Sequence, residues 1–310
     1  MSSPWIRRAA GGLLVAATAL SAACGSGSVV SDLKPQRFIA VGDGFADVGQ
    51  NGHRYTINDG SLNWVQQLAS YYNLTVAPAS AGGLGFAQGG AHVATPDTTT
   101  GANAPSVKSQ IDTLLAGNTL GKNDVVLING GMSDIVAAVA ATGISAATDT
   151  AIDTAARALA DQVRRVVAAG ATHVVVSGVY DLGTSPWARN LNIAKDATRM
   201  SVAFNDRLLV QIVDMAQTVL YFDPALFFNL IYNKPTAYPI DNATAPVCTT
   251  PDASTCTLAT IQPGADPTRW LFADSLYFTP PAQRLWVSDT YLDTASTRFK
   301  NRWCGGASAP

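Results

Sequence analysis

Few residue types in this chain can support nucleophilic or general acid–base chemistry. All 22 acidic residues are aspartates, and the only histidines are His53, His92 and His173. A mechanism that requires a glutamate is therefore excluded, and a metal site built from several histidines has little material. We expect no cofactor and no metal.

The N-terminus has the layout of an export signal over residues 1–23. Arg7 and Arg8 precede a short apolar run, GGLLVAATAL, and three small residues stand before Cys24. The run is too short to span a bilayer, which is typical of a cleaved signal peptide. The small residues followed by Cys24 resemble the lipobox of bacterial lipoproteins. This implies an acylated Cys24 and an envelope location, in the outer membrane or the periplasm, held by the lipid. Secretion after simple cleavage is the alternative.

Three cysteines follow the export segment. Cys248 and Cys256 flank a polar loop, TTPDAST, and an oxidising compartment permits disulfides, so we expect these two to pair. Cys304 is then the odd cysteine. Cysteines at this spacing without a nearby histidine are a poor metal site.

Composition excludes several classes of protein. The 310 residues are 47% hydrophobic and only 14% charged, which excludes a disordered chain, a coiled coil and a collagen-like repeat. The net charge is −2 and no run of lysine or arginine occurs, so we expect no nucleic-acid partner.

Strand-like and helix-like segments alternate along the chain. The predicted strands are 37–41, 124–129, 172–177 and 218–222, and the predicted helices are 62–72, 150–169, 195–217 and about 280–299. This order is typical of βαβ units with a parallel sheet covered by helices. In such sheets ligands bind outside the carboxyl ends of the strands, so the loops there are the candidate functional segments.

Those loops resemble the sequence blocks of the SGNH, or GDSL, family of ester hydrolases, in its bacterial secreted branch. The resemblance covers nearly all of residues 36–300, in the order FIAVGDGFADVGQ (38–50), GFAQGGA (85–91), NGGMSDI (129–135), VSGVYDLGTSP (176–186), a segment containing NKPTAY (222–238) and LFADSLYFTPPAQRL (271–285). It implies a three-layer α/β/α, flavodoxin-like fold with a parallel central sheet. It also implies one domain over 36–304, after a flexible linker at 24–35.

The residues that the family uses for catalysis are largely replaced. In the family, a serine attacks an ester, a histidine accepts its proton, and an aspartate three residues earlier orients the imidazole. The resemblance places Gly44 at the nucleophile and Tyr277 at the histidine, while Asp274 is retained. Of the oxyanion donors, Gly89 is retained and Ser133 replaces an asparagine. Tyrosine, with an ordinary pKa of about 10, is a poor base at neutral pH.

Other residues could supply the missing groups, or the motifs could be purely structural. Ser275, Ser133 and Thr279 lie in the resembling loops, and His92 follows the turn after Gly89. His53 and His173 are interpreted as structural. Asp43 and Asp134 could simply cap the helices that follow them.

Three function classes are therefore open. The first is a catalytically inactive relative of the esterases that binds a small ester, acyl or carbohydrate ligand in the former active-site cleft. The second is an active esterase or lipase that uses residues outside the family pattern. The third is a structural envelope protein with no ligand. A fold alone does not choose among them, because function depends on the site.

Overall fold

Apolar segments buried on both faces form a parallel four-stranded sheet with the order β1-β2-β3-β4. The computed structural model describes residues 33–97 and 103–288. The strands of this sheet are β1 (Arg37–Val41), β2 (Asp124–Asn129), β3 (His173–Ser177) and β4 (Val219–Phe222). Ala40 pairs with Leu127, and Leu127 pairs with Val175. Runs without polar alternation, such as Val174–Val176, suit this position because helices cover both faces.

The helices are α1 (Trp64–Tyr71), α2 (Val107–Gly117), α3 (Met132–Thr142), α4 (Ala146–Ala168), α5 (Pro186–Asn190), α6 (Ala194–Ile212), α7 (Pro224–Asn233) and α8 (Pro280–Ser288). They form two groups. Helix α4 packs against α2, α3 and α6, whereas α8 packs against α1 and α7. The expected α/β class, with a parallel sheet between helices, is confirmed. A second, two-stranded parallel sheet, formed by β5 (Asn242–Pro246) and β6 (Trp270–Phe272), was not predicted.

An irregular segment continues the sheet beyond β1. The backbone N–H of Ala40 donates to Leu84 O at 3.0 Å, and Phe86 N–H donates to Ala40 O at 2.7 Å. This segment follows β1 in the chain and lies on the side of β1 opposite β2. The connections that leave β1 and β2 therefore run to opposite sides of the sheet, which makes the boundary between these strands a topological switch point. Ligands are expected in the crevice at the carboxyl ends of the strands there.

Local capping explains where the predicted helix bounds differ from the observed ones. Helix α4 begins four residues before the predicted start, because the Ser145 side chain accepts a hydrogen bond from Thr148 N–H. Helix α6 ends at Ile212, where a short 3-10 turn replaces the predicted last residues.

Several sequence predictions lie outside the described residues. These are the export segment, Cys24, most of the linker, Cys304 and the predicted continuation of α8 beyond 288. Within 33–97 and 103–288, none of the helices combines the length and the apolar character needed to cross a membrane.

Candidate functional site

A cleft of about 380 Å³ lies at the carboxyl ends of β1 and β2. Its lining comes from separate parts of the chain: Asn51, His53, Tyr55 and Gly90 from the loops after β1, Met132, Ser133 and Val136 from α3, Pro251, Asp252 and Ser254 from the loop after β5, and Asp274, Ser275, Leu276 and Tyr277 from the turn before α8. The volume is within the range of small-molecule sites, roughly 300–1,000 Å³. The cleft is therefore the candidate functional site.

Tyr277 lies where a nucleophile on Gly44 would have to be. A Cβ atom added to Gly44 would be 2.6 Å from the Tyr277 hydroxyl oxygen and 2.8 Å from its Cζ. Carbon atoms do not approach this closely without a shift of the ring, and Tyr277 is only 8% exposed. The Gly44 backbone has no positive φ, so the ring above it is the visible reason for the missing side chain.

The turn after β1 is held by a buried polar network. Gly42 N–H donates to Gln110 Oε1 at 2.7 Å, and Gln110 Nε2 donates back to Gly42 O at 2.9 Å. The Asp43 carboxylate accepts from Phe45 N–H at 3.0 Å and from Asn129 Nδ2 at 2.5 Å. Burial raises the pKa of Asp43 to about 6, although these two donors favour its charged form. Asp43 thus fixes the turn and does not cap a helix.

The amide of Gly89, the expected oxyanion donor, already has a partner. Gly89 N–H donates to Asp47 Oδ2 at 3.0 Å, and Asp47 also accepts from Gly49 N–H at 2.8 Å. The Tyr55 ring lies directly against Gly89, where a Cβ atom would not fit. The close approach of Tyr55 therefore accounts for a glycine at this position.

The carboxylate of Asp274 is surrounded by backbone N–H donors. Its carboxylate accepts from the N–H groups of Leu276, Tyr277 and Ala253 at 2.8, 2.7 and 2.8 Å. Burial raises the pKa of Asp274 to about 6, against the effect of these donors. Asp274 connects the turn before α8 to the loop after β5 and places both at the cleft.

Cys248 and Cys256, the expected pair, are joined in the structure, and their bond closes the loop that forms one wall of the cleft. Asn58 holds this loop from the opposite side. Its Nδ2 donates to Ala253 O at 3.2 Å and to Ser254 O at 3.1 Å. The loop is thereby fixed at both ends and at its middle.

Helix α3 contributes Ser133, which lines the cleft in its first turn. The residue at its N-cap is Gly131, with φ +105°, so the interpretation of Asp134 as a cap is wrong. Asp134 instead accepts from Val93 N–H, at 3.1 Å to Oδ2. Burial, and to a lesser extent the charge of Asp43, raise the pKa of Asp134 to about 7.

Only some of the hydroxyl and imidazole groups that the sequence offered as candidates lie in the cleft lining. Ser275 lines the cleft, but the Thr279 hydroxyl donates to Trp270 O at 2.6 Å. His92 is outside the cleft lining, and its Nδ1 lies 3.2 Å from Thr95 Oγ1. His173, at the start of β3, is remote from the cleft, as its structural interpretation requires.

His53, Tyr55 and Asp252 line the cleft, although their sequence context does not predict it. From its sequence context His53 is interpreted as structural, but it lies in the cleft lining. These residues occur in polar loops without periodicity, and the only sequence signal is that one loop follows β1 and the other lies between the paired cysteines. Within the described part of the chain, no group of three or more histidine, cysteine or aspartate side chains could hold a metal ion.

Comparison with models of known protein families finds no match, and comparison with curated proteins also finds none. The resemblance to the SGNH esterases thus stays a prediction from the sequence blocks.

Proposed function

We propose that this protein is a catalytically inactive relative of the SGNH ester hydrolases that binds a small ligand in the cleft. The observation that carries the proposal is the Tyr277 ring over Gly44, because it fills the space a nucleophile would need. A phenol at this point cannot replace the missing base. Burial raises the pKa of Tyr277 well above the ordinary value for tyrosine, and the nearby carboxylates of Asp43 and Asp274 add to the rise.

The remaining groups of the family mechanism are engaged elsewhere. Asp274 accepts from backbone N–H groups, and the Gly89 amide donates to Asp47. An oxyanion could accept from the Gly89 amide only by displacing the Asp47 carboxylate. The site would otherwise forgo a donor that ordinarily stabilises a transition state by about 2.7–4 kcal/mol. These contacts favour binding over turnover.

Small ester, acyl or carbohydrate compounds remain the candidate ligands for the proposal. We also propose export through residues 1–23 and attachment through a lipid on Cys24. Intact-mass measurement of the membrane fraction tests this part. A protein that begins at an unmodified Cys24 would contradict lipidation and leave export standing.

One observation favours an active hydrolase as the second candidate. His53 lines the same cleft as Ser133 and Ser275, so an imidazole and two hydroxyls share one site. This alternative requires His53 to come within about 3 Å of a serine hydroxyl.

Hydrolysis of a short-chain aryl ester by the mature protein separates the two candidates. Our proposal predicts a rate equal to the buffer blank, unchanged in Ser133→Ala, Ser275→Ala, His53→Ala and His92→Ala. Turnover that survives Gly44→Ala and is abolished by one of these four substitutions would contradict it and identify a different catalytic set.

A further inference from the structure

Acidic groups outnumber basic ones around the cleft. Asp252 and Asp274 belong to its lining, which contains no lysine or arginine, and Asp43 and Asp47 are buried behind it. None of the ion pairs formed within residues 33–97 and 103–288 involves these four aspartates. Narrow sites lined by one sign of charge concentrate the field and attract the opposite charge.

Arg54 and His53 interact electrostatically with Asp47, but neither forms an ion pair with it among the described residues. Arg54 lies between His53 and Tyr55 in the sequence, but its guanidinium donates to Ser61 O and, at 3.1 Å, to Gln66 Oε1 near the start of α1. It is thus directed toward α1.

Aromatic rings form the other part of the lining. The ring centroids of Tyr55 and Tyr277 are 5.1 Å apart at an interplanar angle of 50°, and those of His53 and Tyr55 are 6.0 Å apart at 63°. All three rings line the cleft, so a ligand in it would contact aromatic surface. The face of an aromatic ring carries negative charge density and attracts cations.

Two properties of the tyrosines indicate that a ligand group belongs here. The Tyr277 side chain is 8% exposed and lines the cleft, yet its hydroxyl makes none of the side-chain hydrogen bonds found among the described residues. Desolvation raises the pKa of Tyr55 to about 12, and the charges of Asp252 and Asp47 contribute to the rise. The second effect places negative potential at the rings themselves.

We propose that the cleft binds an organic ammonium ion of about the size of choline, with its alkyl groups against Tyr55 and Tyr277 and its charge facing Asp252. This rests on the proposed non-catalytic binding function and names its ligand class. The same field disfavours carboxylate and phosphate ligands, so the product acid of an ester would bind poorly.

The test compares choline with 3,3-dimethyl-1-butanol, a neutral compound of the same shape, by ligand-observed NMR and calorimetry on the mature protein. Choline should bind, more weakly as salt is added, and the neutral alcohol should bind at least 10-fold more weakly. Cation–π contacts are worth roughly 0.5–2 kcal/mol, so Tyr55→Leu should weaken choline binding about 2- to 30-fold while Tyr55→Phe retains it.

Asp252→Asn removes the charge but keeps an acceptor for Ser254 N–H, which now donates to Asp252 Oδ1 at 2.8 Å. It should weaken choline about 3- to 5-fold. Asp266→Asn is the matched control, since Asp266 accepts from Thr268 N–H in the same way at 2.9 Å and is outside the cleft lining.

Equal binding of choline and the alcohol would overturn the charge selectivity and leave the ligand-binding function in place. Absence of choline binding would overturn the inference, and the ester assay would still judge the proposed function separately. Loss of choline binding in Tyr55→Phe, or equal losses in Asp252→Asn and Asp266→Asn, would also contradict it.

Discussion

Two glycines in the turn after β1 differ in what their surroundings demand. Gly42 has φ +150°, which side-chain-bearing residues rarely adopt, and a Cβ atom there would collide with the Asn129 carboxamide and lie 2.7 Å from Asn129 O. Gly44 has an ordinary backbone, and the atoms nearest to an added Cβ there all belong to the Tyr277 ring and its hydroxyl. The backbone conformation and packing of the fold require glycine at position 42. At position 44, one side chain that is distant in the sequence, Tyr277, leaves no room for a Cβ atom.

This difference shows why the presence of the resembling motifs is not evidence of catalytic activity. Asp43 and Gly42 are tied to Asn129 and Gln110 on neighbouring elements, so they are needed for folding whether or not the cleft does chemistry. Gly44, to which the resemblance assigns the nucleophile, has no such partner network. Gly42 and Asp43 are thus explained by the fold alone, without reference to activity.

The largest expected effect is that of Gly42→Ala. Backbone strain and overpacking against Asn129 should lower the free energy of unfolding by about 3–5 kcal/mol. Gly117→Ala, at the end of α2, is the control, because a Cβ atom there meets nothing within 4 Å. Urea unfolding measures both. A Gly42→Ala protein as stable as the control would contradict the assignment of Gly42 to the fold.

Loss of the disulfide should cost somewhat less. Replacing Cys248 and Cys256 by serine frees a short loop and should lower the free energy of unfolding by roughly 2–3 kcal/mol. Choline affinity should fall as well, since this loop carries Asp252. Unchanged urea midpoint and affinity in the double variant would show that Asn58 and Asp274 hold the loop alone.

The buried aspartates of the turn and of α3 predict a pH effect. The pKa values of Asp43 and Asp134 are raised to about 6 and about 7. Between about pH 4 and pH 7 the folded protein therefore binds more protons than the unfolded chain does, and stability falls as pH rises. Asp134 alone should lower the free energy of unfolding by roughly 2.5 kcal/mol between pH 5 and pH 8.

Asp134→Asn should flatten that dependence and still accept from Val93 N–H. Asp266→Asn should leave it unchanged, because hydrogen bonds from Thr268 lower the pKa of Asp266 and move its titration below this window. Stability that rises from pH 5 to pH 8, or the same slope in both variants, would contradict the burial argument.

The parallel sheet could be predicted because strands buried on both faces have unbroken apolar runs, as in Val174–Val176. The disulfide could be predicted because its loop is short and local. The cleft lining could not, since His53, Tyr55 and Asp252 reach it from irregular loops. The contact between Tyr277 and Gly44 depends on tertiary packing that no local pattern encodes.

The most direct test of the account is a double-mutant cycle on Gly44 and Tyr277, measured by urea unfolding. Gly44→Ala in the wild-type chain should lower the free energy of unfolding by about 1–3 kcal/mol, because the new methyl group meets the Tyr277 phenol. In a Tyr277→Leu background, which lacks the hydroxyl, Cζ and Cε1 atoms nearest Gly44, the same change should cost less than about 0.5 kcal/mol. Equal costs in the two backgrounds would show that Tyr277 does not occupy the nucleophile position and would contradict the account.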